Sequence, residues 1–253
     1  MKALVTGGSS GIGKDIAIKL TQLGYDIILV SRSEIELQKV KEKIKTNCEI
    51  IVADLSKRVD VEKVIRKAKN EKIDILINNA GFGIYGEFTD ISIEKEIDML
   101  NVNAVCLHML TKEIYKMMAQ QNFGYILNVS SSAGLMPGGP LLTSYYATKC
   151  YVTSLTLGLY EENRRNKKNV HISILCPGPV DTNFNKVAGT KFNISSLSSE
   201  KVAKIAINKM FKKKLIIVPG LKIKIGLFFQ RILSIKFILK ISYEIQNKKR
   251  GKK

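Results

Sequence analysis

The sequence predicts an α/β fold in which a doubly wound parallel sheet of about seven strands has helices on both faces. Short apolar segments rich in β-branched residues alternate with longer segments of helical periodicity along most of the 253 residues. Several of the short segments are apolar on both faces, as expected for strands covered from above and below. Strict alternation of strand and helix favours right-handed crossover units and an open parallel sheet.

The predicted elements follow one another without an internal repeat or a low-complexity linker. The strands are expected at 2–7, 26–31, 48–54, 74–80, 124–130, 170–177 and 214–220. The helices between them are expected at 13–23, 33–45, 58–69, 93–121, 144–166 and 198–211. We therefore predict one Rossmann-type domain over 1–220, followed by a basic, moderately amphipathic helix and tail over 221–253.

The net charge of +19 is concentrated at the C-terminal end of the chain. Residues 201–253 carry 16 Lys and Arg against a single acid, Glu244. The net charge of the first 200 residues is only +4. Residues 221–245 suit one helix with lysines between its apolar residues, which permits contact with an anionic membrane surface. The alternative is that this helix docks on the body of the protein or on a second subunit, and we favour docking slightly over membrane contact. The expected apolar arc consists of Phe228, Ile232, Ile235, Leu239 and Tyr243.

Other classes of partner and location are disfavoured by composition. Nucleic acid is an unlikely partner because arginines are few and most aromatic residues of the tail lie on or beside its apolar arc. The four cysteines form no CxxC pair and only two histidines occur, so no metal site is predicted. Because no run of about 18 uncharged apolar residues appears and the N-terminal residues enter a strand pattern directly, we expect a cytoplasmic protein that is free to associate with a membrane.

A glycine-rich turn, TGGSSGIG at 6–13, follows the first predicted strand. Glycines allow a tight turn and a close approach of the backbone, and the helix N-terminus behind them attracts phosphate. The turn alone is a weak signal, but its position after the first strand of a βαβ unit makes phosphate binding the better interpretation. The candidate binding residues are Gly7, Ser9, Ser10, Gly11, Ile12 and Gly13.

Further motifs follow the later strands. They are NNAG at 78–81, LNVNAV around Asn103, NVSSS at 128–132, YYATK at 145–149 and CPGPVDT at 176–182. With the glycine-rich turn, they resemble in type and order the motifs of the short-chain dehydrogenase/reductase (SDR) family, and the C-terminal extension is similar to that of the DltE-type branch. The resemblance covers residues 1 to about 220. It implies an oxidoreductase that interconverts a small-molecule carbonyl and alcohol by hydride transfer, commonly as a homodimer or homotetramer.

The end of the second strand bears on which dinucleotide is used. Sites that prefer NAD usually place an acid there, whereas this chain has Ser31 and Arg32. A guanidinium suits the 2′-phosphate of NADP, so NADP(H) is predicted over NAD(H); a solvated arginine at a helix start is the alternative. Asp54 could equally cap the helix that follows near Lys57. The resemblance implies further cofactor contacts at Asp54, Leu55, Asn79, Ala80, Gly81, Tyr145, Lys149, Pro177, Gly178, Val180 and Thr182.

Two adjacent tyrosines precede a lysine in the segment TSYYATK at 143–149. Helix geometry lets both Tyr145 and Tyr146 approach Lys149. By the resemblance, Tyr145 is the general acid in reduction and the general base in oxidation, and Lys149 also holds the ribose. The ammonium group and the positive nicotinamide ring are expected to stabilise the phenolate and so to lower the tyrosine pKa from near 10.

The resemblance implies two more catalytic residues and a lid. Asn103 is expected to organise a water that connects Lys149 to solvent, and a serine hydroxyl is expected to polarise the substrate carbonyl. The position of the following Ala-Gly pair favours Ser131, whereas the distance from Tyr145 favours Ser132; we prefer Ser131. Residues 183–197 are expected to form a variable substrate lid. The rival functions are a regulatory dinucleotide-binding protein and a membrane-peripheral protein that acts on lipid-like substrates.

Overall fold

The computed structural model describes residues 1–181, 197–230 and 232–248. At its centre lies a seven-stranded sheet in which every neighbouring pair is parallel, in the order β3-β2-β1-β4-β5-β6-β9. The predicted doubly wound fold is therefore confirmed. The strands are β1 (Lys2–Thr6), β2 (Asp26–Ser31), β3 (Cys48–Val52), β4 (Ile75–Asn78), β5 (Gly124–Val129), β6 (Val170–Leu175), the separate parallel pair β7 (Val180–Asp181) and β8 (Leu197–Ser198), and β9 (Ile216–Ile217).

Helices cover both faces of the sheet because successive side chains of each strand point to opposite sides. In β1, Ala3 and Val5 pack into one apolar cluster and Leu4 packs into the other, and all three are fully buried. The first cluster includes side chains of α1, α2 and α7, and the second includes those of α3 and α5. The helices are α1 (Gly11–Thr21), α2 (Glu34–Lys41), α3 (Arg58–Lys69), α4 (Ile93–Leu100), α5 (Leu107–Gln120), α6 (Thr143–Arg165), α7 (Ser199–Phe211), α8 (Leu221–Phe229) and α9 (Ile235–Asn247).

The strand order reverses at β1, which pairs with β2 on one side and with β4 on the other. A crevice forms at such a switch point, outside the carboxyl ends of the strands. The segments that follow β1, β2, β4, β5 and β6 all leave the sheet at this edge, because the strands are parallel. The motifs after those strands are thereby brought to one side of the molecule.

The long helix predicted over 93–121 is interrupted by a wider, π-helical turn at Asn101–Cys106, between α4 and α5. Turns of this type accommodate one extra residue in the helix and are frequent at functional sites. Asn103 lies in the middle of the turn and is fully buried. Periodicity alone did not reveal the interruption, because the apolar residues on either side continue a helical pattern.

The C-terminal segment forms two helices, α8 and α9, where the sequence predicted one over 221–245. The second helix begins after Ser234, whose hydroxyl accepts a hydrogen bond from the backbone N–H of Phe237 at 3.4 Å. Serine favours this capping position over a helix interior, because its hydroxyl competes for backbone donors. The predicted apolar arc is also not the buried face: Phe228, Ile232, Ile235 and Tyr243 are exposed.

Thr182 and residues 183–196 of the expected lid lie outside the described residues. Among the helices of the described part, none has the length and apolar character needed to cross a bilayer.

Candidate active site

A cavity of about 420 Å³ lies at the carboxyl edge of the sheet, at the switch point between β1 and β4. Within the described residues, all the predicted site residues except Gly13 and Asn103 line it. They are Gly7, Ser9, Ser10, Gly11, Ile12, Ser31, Arg32, Asp54, Leu55, Asn79, Ala80, Gly81, Ser131, Tyr145, Lys149, Pro177, Gly178 and Val180. The fold thus brings residues far apart in the sequence into one site.

The glycine-rich turn presents the N-terminus of α1 to the cavity. Gly7 has φ of +63°, a left-handed conformation that favours glycine, and its N–H donates to the Val30 carbonyl at 2.8 Å. Ser10 precedes α1 in an extended conformation, and its side chain makes no capping hydrogen bond. Backbone N–H groups at an uncapped helix N-terminus bind anionic oxygens well, so the turn fits a pyrophosphate.

Gly13 lies beneath this turn and holds α1 close to the strand ends. A Cβ atom at Gly13 would lie 2.3 Å from the Gly7 carbonyl oxygen and 2.4 Å from Nδ2 of Asn79. The Asn79 amide in turn donates to the carbonyls of Thr6 and Gly7, at 3.1 and 3.2 Å. Gly13 therefore acts through close packing and not through contact with the cavity.

Ser31 is the last residue of β2 and Arg32 follows it, and both line the cavity. The Ser31 hydroxyl is buried and has no hydrogen-bond partner in the described structure, an arrangement that is costly unless a ligand satisfies it. Arg32 is exposed beside it. An unsatisfied hydroxyl next to a guanidinium fits the ribose end of a phosphorylated nucleotide.

Asp54 is not the cap of the following helix. Its carboxylate accepts from the backbone N–H and the hydroxyl of Ser56, at 3.1 and 3.0 Å, which closes a local turn. The helix α3 begins after Lys57, which offers no side-chain cap. This turn holds Asp54 and Leu55 at the cavity wall.

Tyr145 and Lys149 lie one turn apart on α6, and both are buried. The Lys149 ammonium is 5.8 Å from the centre of the Tyr145 ring and donates to the Val129 carbonyl at 3.0 Å. The hydroxyl of Ser131 lies close enough to that of Tyr145 to lower the tyrosine pKa. This contact favours Ser131 over Ser132 as the serine that acts with the tyrosine. Ser130 instead bonds the Lys149 carbonyl at 2.9 Å, within the core.

Asn103 lies behind the cavity wall, next to the lysine. Its amide donates to the Phe82 carbonyl at 2.8 Å and to the Thr148 hydroxyl at 3.1 Å, and its oxygen accepts from the Phe82 N–H at 3.0 Å. A Cβ atom on Gly81 would lie 2.9 Å from the Asn103 oxygen and 3.3 Å from the Lys149 nitrogen. The side chain therefore fixes the loop after β4 against α6. Its connection to a water stays a prediction.

Comparison with known proteins agrees with this arrangement. Residues 1–192 match the family model described as short chain dehydrogenase. The chain belongs to the SDR family. Among curated proteins, it is 34% identical over 200 residues to the very-long-chain 3-oxoacyl-CoA reductase of Anas platyrhynchos. That match covers 76% of this chain and 63% of the duck protein, so the chain spans less than two thirds of this relative.

Solved structures of other SDR proteins share the fold. A short-chain dehydrogenase from Sphingobium yanoikuyae in complex with NADPH superposes with a TM-score of 0.82 at 26% identity, over 87% of this chain and 88% of that one. An SDR from Burkholderia phymatum in complex with NAD gives a TM-score of 0.84 at 23% identity, over 91% and 92% of the two chains. SDR proteins are oxidoreductases that use a nicotinamide dinucleotide, and these two structures contain different ones.

Burial dominates the protonation of the two central groups of this SDR site. It raises the pKa of Tyr145 to about 12, against a smaller lowering by the Ser131 hydrogen bond. It lowers the pKa of Lys149 to about 8. We expected a lowered tyrosine pKa from the lysine and a nicotinamide cation together. The protein by itself raises the pKa of Tyr145 instead, because burial disfavours the charged phenolate.

Sequence reasoning did not place Gln246 of α9 at the site. Its side chain lines the cavity and donates to the Tyr146 hydroxyl at 2.9 Å, while its carbonyl accepts from the Tyr85 hydroxyl at 3.0 Å. No family motif marks this position. The available signal was the four-residue spacing of Ile238, Ser242 and Gln246, which places two polar residues on one helix face, and this is the face that is buried.

Proposed function

We propose that this SDR is an NADP(H)-dependent oxidoreductase that interconverts a carbonyl and an alcohol on a small molecule, with Tyr145 as general acid and base. The observation that carries the proposal is that Ser131, the buried Tyr145 and the buried Lys149 line one cavity, where the Ser131 hydroxyl lowers the pKa of Tyr145. The names of two SDR proteins support the proposal, since one is a reductase of 3-oxoacyl-CoA and another is bound to NADPH. The family chemistry is the same interconversion.

The chain's own groups can move the proton. When bound, the dinucleotide supplies the hydride in reduction and accepts it in oxidation. In reduction, Ser131 donates a hydrogen bond to the carbonyl oxygen and Tyr145 transfers its proton to that oxygen. The Lys149 cation stabilises the phenolate that remains. In oxidation, the phenolate removes the proton from the alcohol. Both hydroxyls are needed at the same oxygen, and both residues line the same cavity.

Separate parts of the cavity wall would hold the dinucleotide. The N–H groups of Ser9 to Ile12 bind the pyrophosphate at the start of α1. Arg32 and Ser31 bind the 2′-phosphate, and Asp54 with Leu55 flanks the adenine. The remaining proposed contacts, near the nicotinamide and its ribose, are Asn79, Ala80, Gly81, Tyr145, Lys149, Pro177, Gly178, Val180 and Thr182.

The preference for NADP(H) is tested at Arg32. We expect Arg32→Ala to raise the Kd for NADPH by about 10- to 100-fold and to leave that for NADH nearly unchanged, because a charge-assisted hydrogen bond contributes about 1.5–3 kcal/mol. Titration of each dinucleotide, followed by protein fluorescence, measures both constants.

The matched control for this change is Arg165→Ala. Arg165 has the same side chain at the far end of α6 and does not line the cavity. Its removal alters the net charge equally and should leave both constants unchanged. An Arg32→Ala protein that binds NADPH as tightly as the parent would show that the arginine is merely solvated, and the preference would have to be abandoned.

The rate of carbonyl reduction is expected to fall above pH 8. Burial lowers the pKa of Lys149 to about 8, so its cation is progressively lost as the pH rises through that value. Loss of the cation removes stabilisation from the phenolate that forms as Tyr145 gives up its proton. Measurement of kcat/KM between pH 6 and 10 should show a descending limb near 8, which Lys149→Met abolishes together with most of the activity. A profile that stays flat to pH 10 would contradict this role.

We also propose that the enzyme works in the cytoplasm as a homodimer or homotetramer. Apolar side chains are exposed along the continuous helical segment from α4 to α5 and on α6, which supports a subunit contact there. They include Ile93, Ile97, Leu100, Val105 and Tyr151. A regulatory protein with an idle site is the weaker alternative, because the serine, tyrosine and lysine are all present and in contact range.

A further inference from the structure

The exposed side of α8 and α9, with the turn between them, is unusually apolar. Eleven large apolar side chains of the described residues are exposed on this stretch, which we call the tail surface. The most exposed are Ile232 at 73%, Leu221 at 71%, and Phe228 and Ile235 at 63% each. Single exposed apolar residues are ordinary on a protein, whereas a contiguous group of this kind marks a surface that meets another apolar phase.

The amphipathic character of α9 is reversed relative to a helix on a water-exposed surface. Its buried stripe consists of Ile238, Ser242 and Gln246, two of which are polar. Its outward side carries Phe237 and Ile241, exposed by 50% and 40%. Normally the polar side chains of a surface helix face water and the apolar ones face the core. With polar side chains at two of its three buried positions, α9 leaves much of its apolar surface on the outer side.

Cations are interleaved with these apolar side chains. Lys222 and Lys224 on α8, Lys236 and Lys240 on α9, and Lys248 beyond it are all exposed. The stretch holds a single acid, Glu244. Lysines extend their alkyl stems along apolar surface while the ammonium groups reach the polar boundary, which suits a phospholipid headgroup layer.

A second copy of the chain is a poorer partner for the same surface. In a twofold contact the same patch meets itself, so the lysines of α8 and α9 would face identical lysines. With one acid in the stretch, those charges would have almost no counterpart across the contact. An anionic surface supplies the missing charges.

We propose that the tail surface docks on an anionic membrane, with α8 and α9 lying in the interface and their lysines at the level of the headgroups. The proposal rests on exposure and charge and does not require the proposed reaction. Because Gln246, on the other side of α9, lines the cavity, docking brings the catalytic cavity next to the bilayer.

Co-sedimentation with lipid vesicles tests the proposal on the full chain. The parent protein should sediment with vesicles that contain phosphatidylglycerol, much less with pure phosphatidylcholine, and more weakly as salt is added. The double variant Phe228→Asp with Ile232→Asp should bind the anionic vesicles at least about tenfold more weakly, since it replaces two exposed apolar anchors by acids. The control, Val59→Asp on α3, changes a side chain that is 65% exposed and should bind like the parent.

The outcomes separate this proposal from its rivals. Parent protein that fails to bind, or binds both lipids equally, would overturn it, and so would a double variant that binds like the parent. Sedimentation velocity without lipid gives the remaining test: if the double variant converts an oligomer into a monomer and vesicles do not bind the parent, the tail surface is a contact between copies. Thermal unfolding checks that the variants are folded. Because no turnover is needed, absence of reductase activity would refute the proposed function and leave this result standing.

Discussion

Tyr145→Phe will lower carbonyl reduction by about 10²- to 10⁴-fold, the range that a positioned acid or base contributes. The phenyl ring fills the same buried space, so the fold and the glycine-rich turn are retained. What is lost is the hydroxyl whose pKa the neighbouring Ser131 lowers, and with it the proposed proton donor. The measurement is NADPH oxidation over a panel of carbonyl compounds, together with the Kd for NADPH, which should change little.

Tyr146→Phe is the matched control, because the two tyrosines are adjacent, similarly buried and in edge-to-face contact at 6.3 Å between ring centres. The hydroxyl of Tyr146 accepts from Gln246 and does not meet Ser131, so its removal should cost less than about tenfold in kcat/KM. Equal losses in the two variants would refute the assignment of the proton to Tyr145.

Gly13→Ala will strongly destabilise the protein and weaken dinucleotide binding, although a single methyl group is added. The new Cβ would lie 2.3 Å from a backbone oxygen, that of Gly7, which belongs to the tight turn itself. Relief of this clash requires α1 to move away from the strand ends, and overpacking of this kind typically costs about 1–3 kcal/mol or more. We expect at least that loss in the free energy of unfolding and at least a tenfold higher Kd for NADPH, from urea denaturation and fluorescence titration.

The control for this substitution is Gly158→Ala. Gly158 lies in the interior of α6, and an added Cβ would have no atom within 4 Å. Alanine is favoured over glycine there by about 0.5–1 kcal/mol, so this variant should be slightly more stable than the parent and bind NADPH equally well. If both glycine variants behaved alike, the close packing beneath the turn would not be what fixes α1.

The sheet and the segments after its strands could be predicted because their signals are local. Apolar runs such as Asp26–Ser31 have a length and composition that only strands share, and the structure places that strand at the predicted bounds. The motif residues follow parallel strands, whose carboxyl ends lie at the same edge of the sheet. The motifs that resemble those of SDR proteins therefore meet in one cavity. The seventh strand was predicted over 214–220, but it spans only Ile216–Ile217 in the structure, because these are the residues that pair with β6.

Features that depend on distant contacts were beyond the sequence. Gln246 reaches the cavity only because α9 turns the face of Ile238, Ser242 and Gln246 inward, and the four-residue spacing of these residues is a weaker local signal than the apolar arc. The π-helical turn at Asn101–Cys106 reflects the bonds of Asn103 to Phe82 and Thr148, residues 21 and 45 positions away. The raised pKa of Tyr145 likewise depends on how much protein surrounds it, which no motif spacing encodes.

The contact between Gln246 and Tyr146 joins positions 100 residues apart and closes the cavity with one of the last helices of the chain. Sheet pairing is also long-range, because β1 pairs on one side with β4, which lies about 70 residues later in the chain. Contacts of such separation form slowly, because the intervening chain must first be ordered. During synthesis, the nucleotide-binding end can therefore take shape while the C-terminal helices are still in the ribosome. The catalytic chamber acquires the wall that contains Gln246 only after α9 has emerged from the ribosome.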